Sequence, residues 1–331
     1  MNFNIKIVYD NSLKKNIKEL LAYLIKSGYY NSKEKNKCRY DDSKYQDIGD
    51  TGITLKTLPY RDSINLSDEK PDKSDCALCN AIQNHKRIEP LSLAKSLLWR
   101  GYVIRPNDFP YLKNHLLIMS ADHNHGKSDK RGSQNILHME PNIIKDMLDF
   151  YLLLKQNGTM FFNGLAGNSQ YHFHFHYIQE PLPIETYIND SVINKQEKYK
   201  TISGNDVYLF KTNSLKKCFR GILITGKKET VGKDIFKVLG RIKKKGFEYN
   251  VILIKNNSDK NKVTSIIFIR DNSKIKKTDP PLGASIVAGF YTRTDITCSQ
   301  AKLKKTHQKL VKYCSRIVVT PTKDFISILL K

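Results

Sequence analysis

No apolar run in this chain of 331 residues approaches the ~20 that a membrane-crossing helix needs. The N-terminus lacks the apolar centre of a secretory signal. Cysteine is sparse too, and the six at 38, 76, 79, 218, 298 and 314 form no framework of the secreted kind. These absences argue against a helical membrane protein and a disulfide scaffold. The expected location is therefore a reducing, cytoplasmic compartment. Arginine is scarce beside abundant lysine, a coding bias that says little about function.

Charge is plentiful and uneven. The net formal charge is +24, and the chain is 40% apolar, enough for a real core. Residues 1–165 hold 25 Lys and Arg against 19 Asp and Glu, and residues 166–331 hold 31 against 13. The C-terminal half, at +18, is a candidate surface for polyanions such as nucleotides, sugar phosphates or nucleic acid. Solvated lysines that keep the chain soluble are the plainer explanation.

Periodicity predicts a mixed chain. Residues 12–28 read as an amphipathic helix that Ser12 can cap and Gly28 can end. Residues 29–75 are polar, with a short strand near Ile53–Leu58. Strands are expected at 97–106 and at His115–Ser120, then a helix over 141–157 and strands at Met160–Asn163 and 171–178. After a polar connector over 188–204 a similar order returns. Strands are expected at Val207–Lys211 and Gly221–Thr225, a helix at Thr230–Lys245, and strands at Val251–Lys255 and Ser265–Arg270. The last helix is expected at 299–313, with a short terminal strand at 315–321. The pattern reads as two pseudo-repeats.

The chemistry concentrates in Tyr171-His172-Phe173-His174-Phe175-His176-Tyr177. In a strand, alternate side chains share a face, so three imidazoles line up about 6.5–7 Å apart. The opposite face, Tyr171, Phe173, Phe175 and Tyr177, suits burial. Imidazole is a competent nucleophile toward phosphorus near neutral pH. A tri-histidine metal site and a buried histidine ladder are the other readings of this segment. Cys76-Ala77-Leu78-Cys79 has the spacing that commonly makes half of a tetrahedral zinc site, which needs two more ligands, and His123 or His125 can supply a third.

Taken together, Gly167-x-Ser169-x-Tyr171-His172-Phe173-His174-Phe175-His176 resembles the signature of the histidine triad (HIT) superfamily. Asn107-Asp108-Phe109-Pro110, His115-Leu116-Leu117-Ile118-Met119 and His123 resemble the segment upstream of it. The CxxC, Phe162-Asn163-Gly164 and Pro181-Leu182-Pro183-Ile184-Glu185 point to the two-repeat branch. That branch includes galactose-1-phosphate uridylyltransferase, diadenosine tetraphosphate phosphorylase and the GDP-hexose phosphorylases. The resemblance is good over about 76–185, loose over 205–297 and absent over about 1–50.

The resemblance implies an α+β fold of tandem HIT-like units, an antiparallel sheet with packed helices, and a degenerate second unit. The corresponding division is an N-terminal extension over 1–70, a catalytic unit over 71–187, a connector over 188–204 and the degenerate unit over 205–331. His174 would be the nucleophile that forms a nucleotidyl-histidine, its second ring nitrogen held by a backbone carbonyl. His172 would orient it, or bind structural zinc with Cys76, Cys79 and His123. His176 would stabilise charge, Ser169 and Gln170 would contact phosphate, and Asn163, Asn107 and His115 would support the nucleotide or the histidines. No organic cofactor is implied, and relatives in this branch are often dimers, although no interface patch is legible. One departure stands out: transferases and phosphorylases of this branch usually carry Gln at the third triad position, where this chain has His176, as hydrolases do.

The implied activity is nucleotidyl transfer, with a phosphoanhydride of a nucleotide sugar or dinucleoside polyphosphate as the substrate. A nucleic-acid end-processing hydrolase of the aprataxin type and a non-catalytic nucleotide-binding module are the alternatives.

Overall fold

Arg100 and Gly101 take positive φ of 46° and 80°, the backbone of a primed two-residue turn. In the computed structural model this turn splits the single strand expected over 97–106 into a hairpin, β4 (Ser96–Trp99) and β5 (Tyr102–Pro106). The structure describes residues 5–26, 44–47, 54–57, 96–107, 110, 112, 114–121, 142–154, 158–164, 172–188, 198–211, 220–256, 259, 261–276, 283–293 and 300–330.

Before the hairpin come β1 (Ile5–Ile7), α1 (Asp10–Lys26), β2 (Lys44–Asp47) and β3 (Thr54–Thr57). After it come β6 (Leu116–Ser120), α2 (Asn142–Leu153), β7 (Thr159–Phe162), β8 (His174–Ile178) and α3 (Pro183–Tyr187). Next are β9 (Lys198–Lys200), β10 (Asp206–Lys211), β11 (Arg220–Lys227), α4 (Lys228–Lys244), β12 (Glu248–Lys255) and β13 (Lys262–Arg270). The chain closes with α5 (Ala284–Val287), β14 (Phe290–Arg293), α6 (Gln300–Ile317) and α7 (Lys323–Leu330).

The fold is α+β. Eleven strands make one sheet in the order β1-β4-β5-β6-β8-β7-β12-β13-β11-β10-β9. Every neighbouring pair is antiparallel except β1 with β4. The run β5-β6-α2-β7-β8 and the run β10-β11-α4-β12-β13 follow the same order, and each places its last strand inside its third. The halves meet where Val251, Ile252 and Leu253 pair with Phe162, Phe161 and Met160. A second, three-stranded sheet joins β2 and β3 to β14.

Alternation sorts the side chains onto two faces. One face carries Phe162, Phe175, Tyr177, Val251, Leu253, Val263 and Ile267, buried under α1, α2, α4 and α7. The other carries Phe161, Ile178, Ile252, Ile254, Ile266 and Phe268, buried with residues of α3, α5 and α6. Helix α4 shows the logic at sequence level. Val231, Ile235, Val238, Leu239 and Ile242 form its buried stripe. Gly246, at φ 80°, closes it, with its N–H and that of Phe247 bonded to the carbonyls of Lys243 and Ile242.

Two terminal details depart from expectation. Helix α1 begins at Asp10, and Ser12 lies inside its first turn, where its Oγ accepts from the Tyr9 N–H at 3.2 Å. Residues 315–321 do not form a strand: α6 runs on to Ile317, and Val318 makes only an isolated bridge to Arg270 before α7. Apolar residues at helical spacing, Leu310, Tyr313, Cys314 and Ile317, keep that segment helical against the sheet. Among the described residues, no helix is long and apolar enough to cross a membrane.

One charge cluster ties the first half together. Arg100, at the β4–β5 turn, pairs with Asp10 of α1 and with Asp146 and Asp149 of α2 at 3.2 and 2.6 Å. Asp149 also meets Lys228 at the start of α4. Burial pushes the Asp149 carboxyl up, but hydrogen bonds from Lys228, Arg100 and Lys145 outweigh it and leave the group below its usual range.

Candidate active site

The three triad histidines do not stand in one row. Strand β8 begins at His174, so only His174 and His176 share its site-facing side, with ring centroids 4.9 Å apart. His172 precedes the strand and is fully buried. Its Nε2 donates to the carbonyl oxygen of Ser120, at the end of β6, at 2.8 Å. The extended geometry assumed for all three therefore fails at the first, because the chain enters the sheet only after Phe173.

His174 is oriented from within the motif. Its Nδ1–H donates to the carbonyl oxygen of His172 at 2.7 Å. A neutral imidazole has one N–H, so the lone pair is left on Nε2. Burial pushes the His174 pKa down to about 4, partly offset by the hydrogen bond to His172. The ring is neutral at physiological pH, and a neutral ring is what nucleophilic attack requires.

His176 is held on three sides. Phe161, on β7, stacks on its ring at 4.6 Å with an interplanar angle of 9°. His115 Nε2 lies 2.9 Å from its Nδ1, and the Asn163 Nδ2 lies 3.4 Å from its Nε2. Burial, then the neighbouring His174 and His115, drive its pKa well below the ordinary histidine value.

The proton order along this chain follows from one unambiguous donor. The backbone N–H of Ala284 donates to Asn163 Oδ1 at 2.7 Å. Asn163 therefore turns its NH2 toward His176, whose Nε2 accepts. The proton of His176 then sits on Nδ1 and is donated to His115 Nε2. The Asn107 Nδ2 lies 3.2 Å from both ring nitrogens of His115. His115, His176, Asn163 and Ala284 thus form one directed chain, and both ring nitrogens of His176 are committed within it.

Asn107, His115 and Asn163, expected to support nucleotide or histidines, are brought together around His176. Phe161 and the Ala284 N–H were not legible in the sequence. Phe161 looks like any core aromatic of a strand, and Ala284 is 121 residues from its partner. Ser169, Gln170, Cys76, Cys79, His123 and His125 lie outside the described residues. Among the described residues no cluster of three or more His, Cys, Asp or Glu side chains could hold a metal ion. His172 is the one described member of the zinc set that the family resemblance implies. With Nε2–H on the Ser120 carbonyl, Nδ1 is its unprotonated ring nitrogen.

No family model and no curated protein matches the chain. Solved structures do. Yeast Ap4A phosphorylase aligns over 95% of this chain and 97% of its own, with a TM-score of 0.55 and 14% identity. The same yeast enzyme in complex with Ap4A aligns over 92% and 97%, with a TM-score of 0.52 and 14% identity. Its complex with AMP aligns over 94% and 98%, with a TM-score of 0.51 and 14% identity. The fold is that of these phosphorylase structures.

Proposed function

We propose that this chain is a nucleotidyl-transferring enzyme of the phosphorylase or transferase type, acting through a covalent nucleotidyl-His174. The observation that carries the reading is the His174 tautomer. A carbonyl takes the Nδ1 proton, and a buried, neutral ring keeps its lone pair on Nε2.

In the reaction, Nε2 attacks the α-phosphorus of a phosphoanhydride in line. A P–N bond forms as the bridging P–O bond breaks, and the departing phosphate carries the negative charge away. An acceptor oxygen, from inorganic phosphate, a sugar phosphate or water, then displaces His174 and restores the imidazole. Ser169, Gln170 and nearby N–H groups stabilise the non-bridging oxygens. The likeness to Ap4A phosphorylase favours a dinucleoside polyphosphate over a nucleotide sugar. On this reading the two halves of the sheet are tandem HIT-like units over 71–187 and 205–331, the second degenerate, with 1–70 an extension. Zinc on Cys76, Cys79, His123 and His172 would be structural.

A second reading draws on His176 at the third triad position and on the +18 of the C-terminal half. It makes the enzyme a hydrolase that removes nucleotide adducts from nucleic-acid ends.

The test incubates the protein with diadenosine tetraphosphate and nucleoside diphosphate sugars, with and without inorganic phosphate, and resolves products by mass. The expected result is a nucleotidyl adduct on His174 and nucleoside diphosphate only when phosphate is present. Monophosphate released without phosphate supports the hydrolase. Full activity in His174→Ala overturns both.

A further inference from the structure

Strand β12 runs beside β7 beyond the Val251–Phe162 pair. Val251 pairs with Phe162, and a Cβ on Gly164 would meet the Tyr249 carbonyl oxygen at 2.0 Å. Asn250 therefore comes opposite Asn163. Alternation puts both on the face of Phe161 and Ile252, and facing Cβ atoms in such a pair are about 5 Å apart. On the other side, the Asn163 Nδ2 reaches the Nε2 of His176 on β8 at 3.4 Å, and Phe268 of β13 pairs with Asn250.

Asn250 is fully buried, and neither its Oδ1 nor its Nδ2 makes a hydrogen bond among the described residues. A buried carboxamide in that state destabilises the fold. Its neighbours Ile252 and Phe268 are apolar, so packing alone would favour a leucine there. A polar group kept at such a position, next to a candidate site, points to use rather than to packing. Asn163 supplies the complement. One of its lone pairs takes the Ala284 N–H and one of its N–H groups faces His176, which leaves one of each.

We propose that Asn250, from the second half of the chain, is a positioning residue of the site. Its carboxamide holds that of Asn163 against rotation, by a turn of its own side chain or through one bridging water. Asn163 then keeps its NH2 on His176, and the proton order of the histidine chain is preserved. Asn250 touches no reacting atom. Its kinetic consequence rests on the reading of His174 as nucleophile, whereas its effect on the His176 tautomer does not.

The test uses the full chain with Asn250→Leu, close in shape and apolar, and Asn250→Ser, which keeps a donor and an acceptor. In Asn250→Leu the melting temperature is expected to hold or rise. The ring ¹⁵N shifts of His176 should move from the Nδ1–H pattern toward a mixed one. The rate of His174 adenylylation by diadenosine tetraphosphate should fall roughly tenfold, with little change in the half-saturating concentration. Asn250→Ser should recover much of the rate and the shifts. An unchanged His176 pattern in Asn250→Leu, or a fall in melting temperature that tracks the loss of rate, overturns the proposal in favour of plain packing. If the wild-type protein takes no adenylyl group from diadenosine tetraphosphate, the His174 reading falls, and the His176 shifts still decide the role of Asn250.

Discussion

His174 donates its Nδ1 proton to the backbone carbonyl of His172, two residues earlier, at 2.7 Å. The motif thus supplies both the proposed nucleophile and the group that sets its tautomer.

The first prediction concerns pH. Burial holds His174 near pKa 4, against 6.5 for a free histidine. The acid limb of kcat/KM is therefore expected between pH 4 and 5, well below 6.5. A limb at 6.5 in an otherwise folded protein would contradict the buried, neutral ring.

The same shift has a consequence for stability. Between pH 6.5 and 4 the unfolded chain binds a proton that the folded His174 does not, so stability falls as pH falls through that window. His174 alone accounts for up to about 3 kcal/mol, from its shift of 6.5 to about 4. His176, also held low, adds in the same direction. Urea midpoints at pH 7.5 and 5 should differ, and should differ less in His174→Phe.

His174→Ala is expected to reduce nucleotidyl transfer at least about a thousandfold, with no adduct on the protein by mass. His176→Gln places the transferase residue at the third triad position. It should keep the adduct on His174 and raise the ratio of phosphorolysis to hydrolysis, read from the nucleoside diphosphate to monophosphate ratio. An unchanged ratio would remove His176 from acceptor choice.

Gly164→Ala puts a methyl group 2.0 Å from the Tyr249 carbonyl oxygen, a backbone atom that cannot swing aside. The expected destabilisation is about 3 kcal/mol or more, because the two halves of the sheet must part at this point. Chemical denaturation measures it, and the loss should exceed that of Gly101→Ala, where nothing lies within 4 Å of the added Cβ.

Asp149→Ala leaves Arg100 and Lys228 without their shared carboxylate. The expected loss is about 1–3 kcal/mol, read by thermal melts, and less at high salt because Arg100 and Lys228 are partly exposed.

Much of the fold was legible because its signals are local. Val231, Ile235, Leu239 and Ile242 announce α4 by spacing alone, and the apolar runs of β12 and β13 announce strands. The hairpin at Arg100 and Gly101 was not, since a continuous β-favouring run hides a tight turn. The end of α6 was misread because Arg316-Ile317-Val318-Val319 favours a strand locally, while packing of Cys314 and Ile317 keeps the helix.

The sequence by itself determined the local setting of His174. The triad Tyr171–Tyr177 carries His174 together with the carbonyl that orients it, and both effects act over two residues. Tertiary structure alone decided what surrounds His176. His115 directly precedes β6, Phe161 lies on β7 and Asn163 just after it, and Ala284 starts a helix 121 residues beyond Asn163. Such partners meet only through strand order and register, and one-dimensional spacing does not encode either.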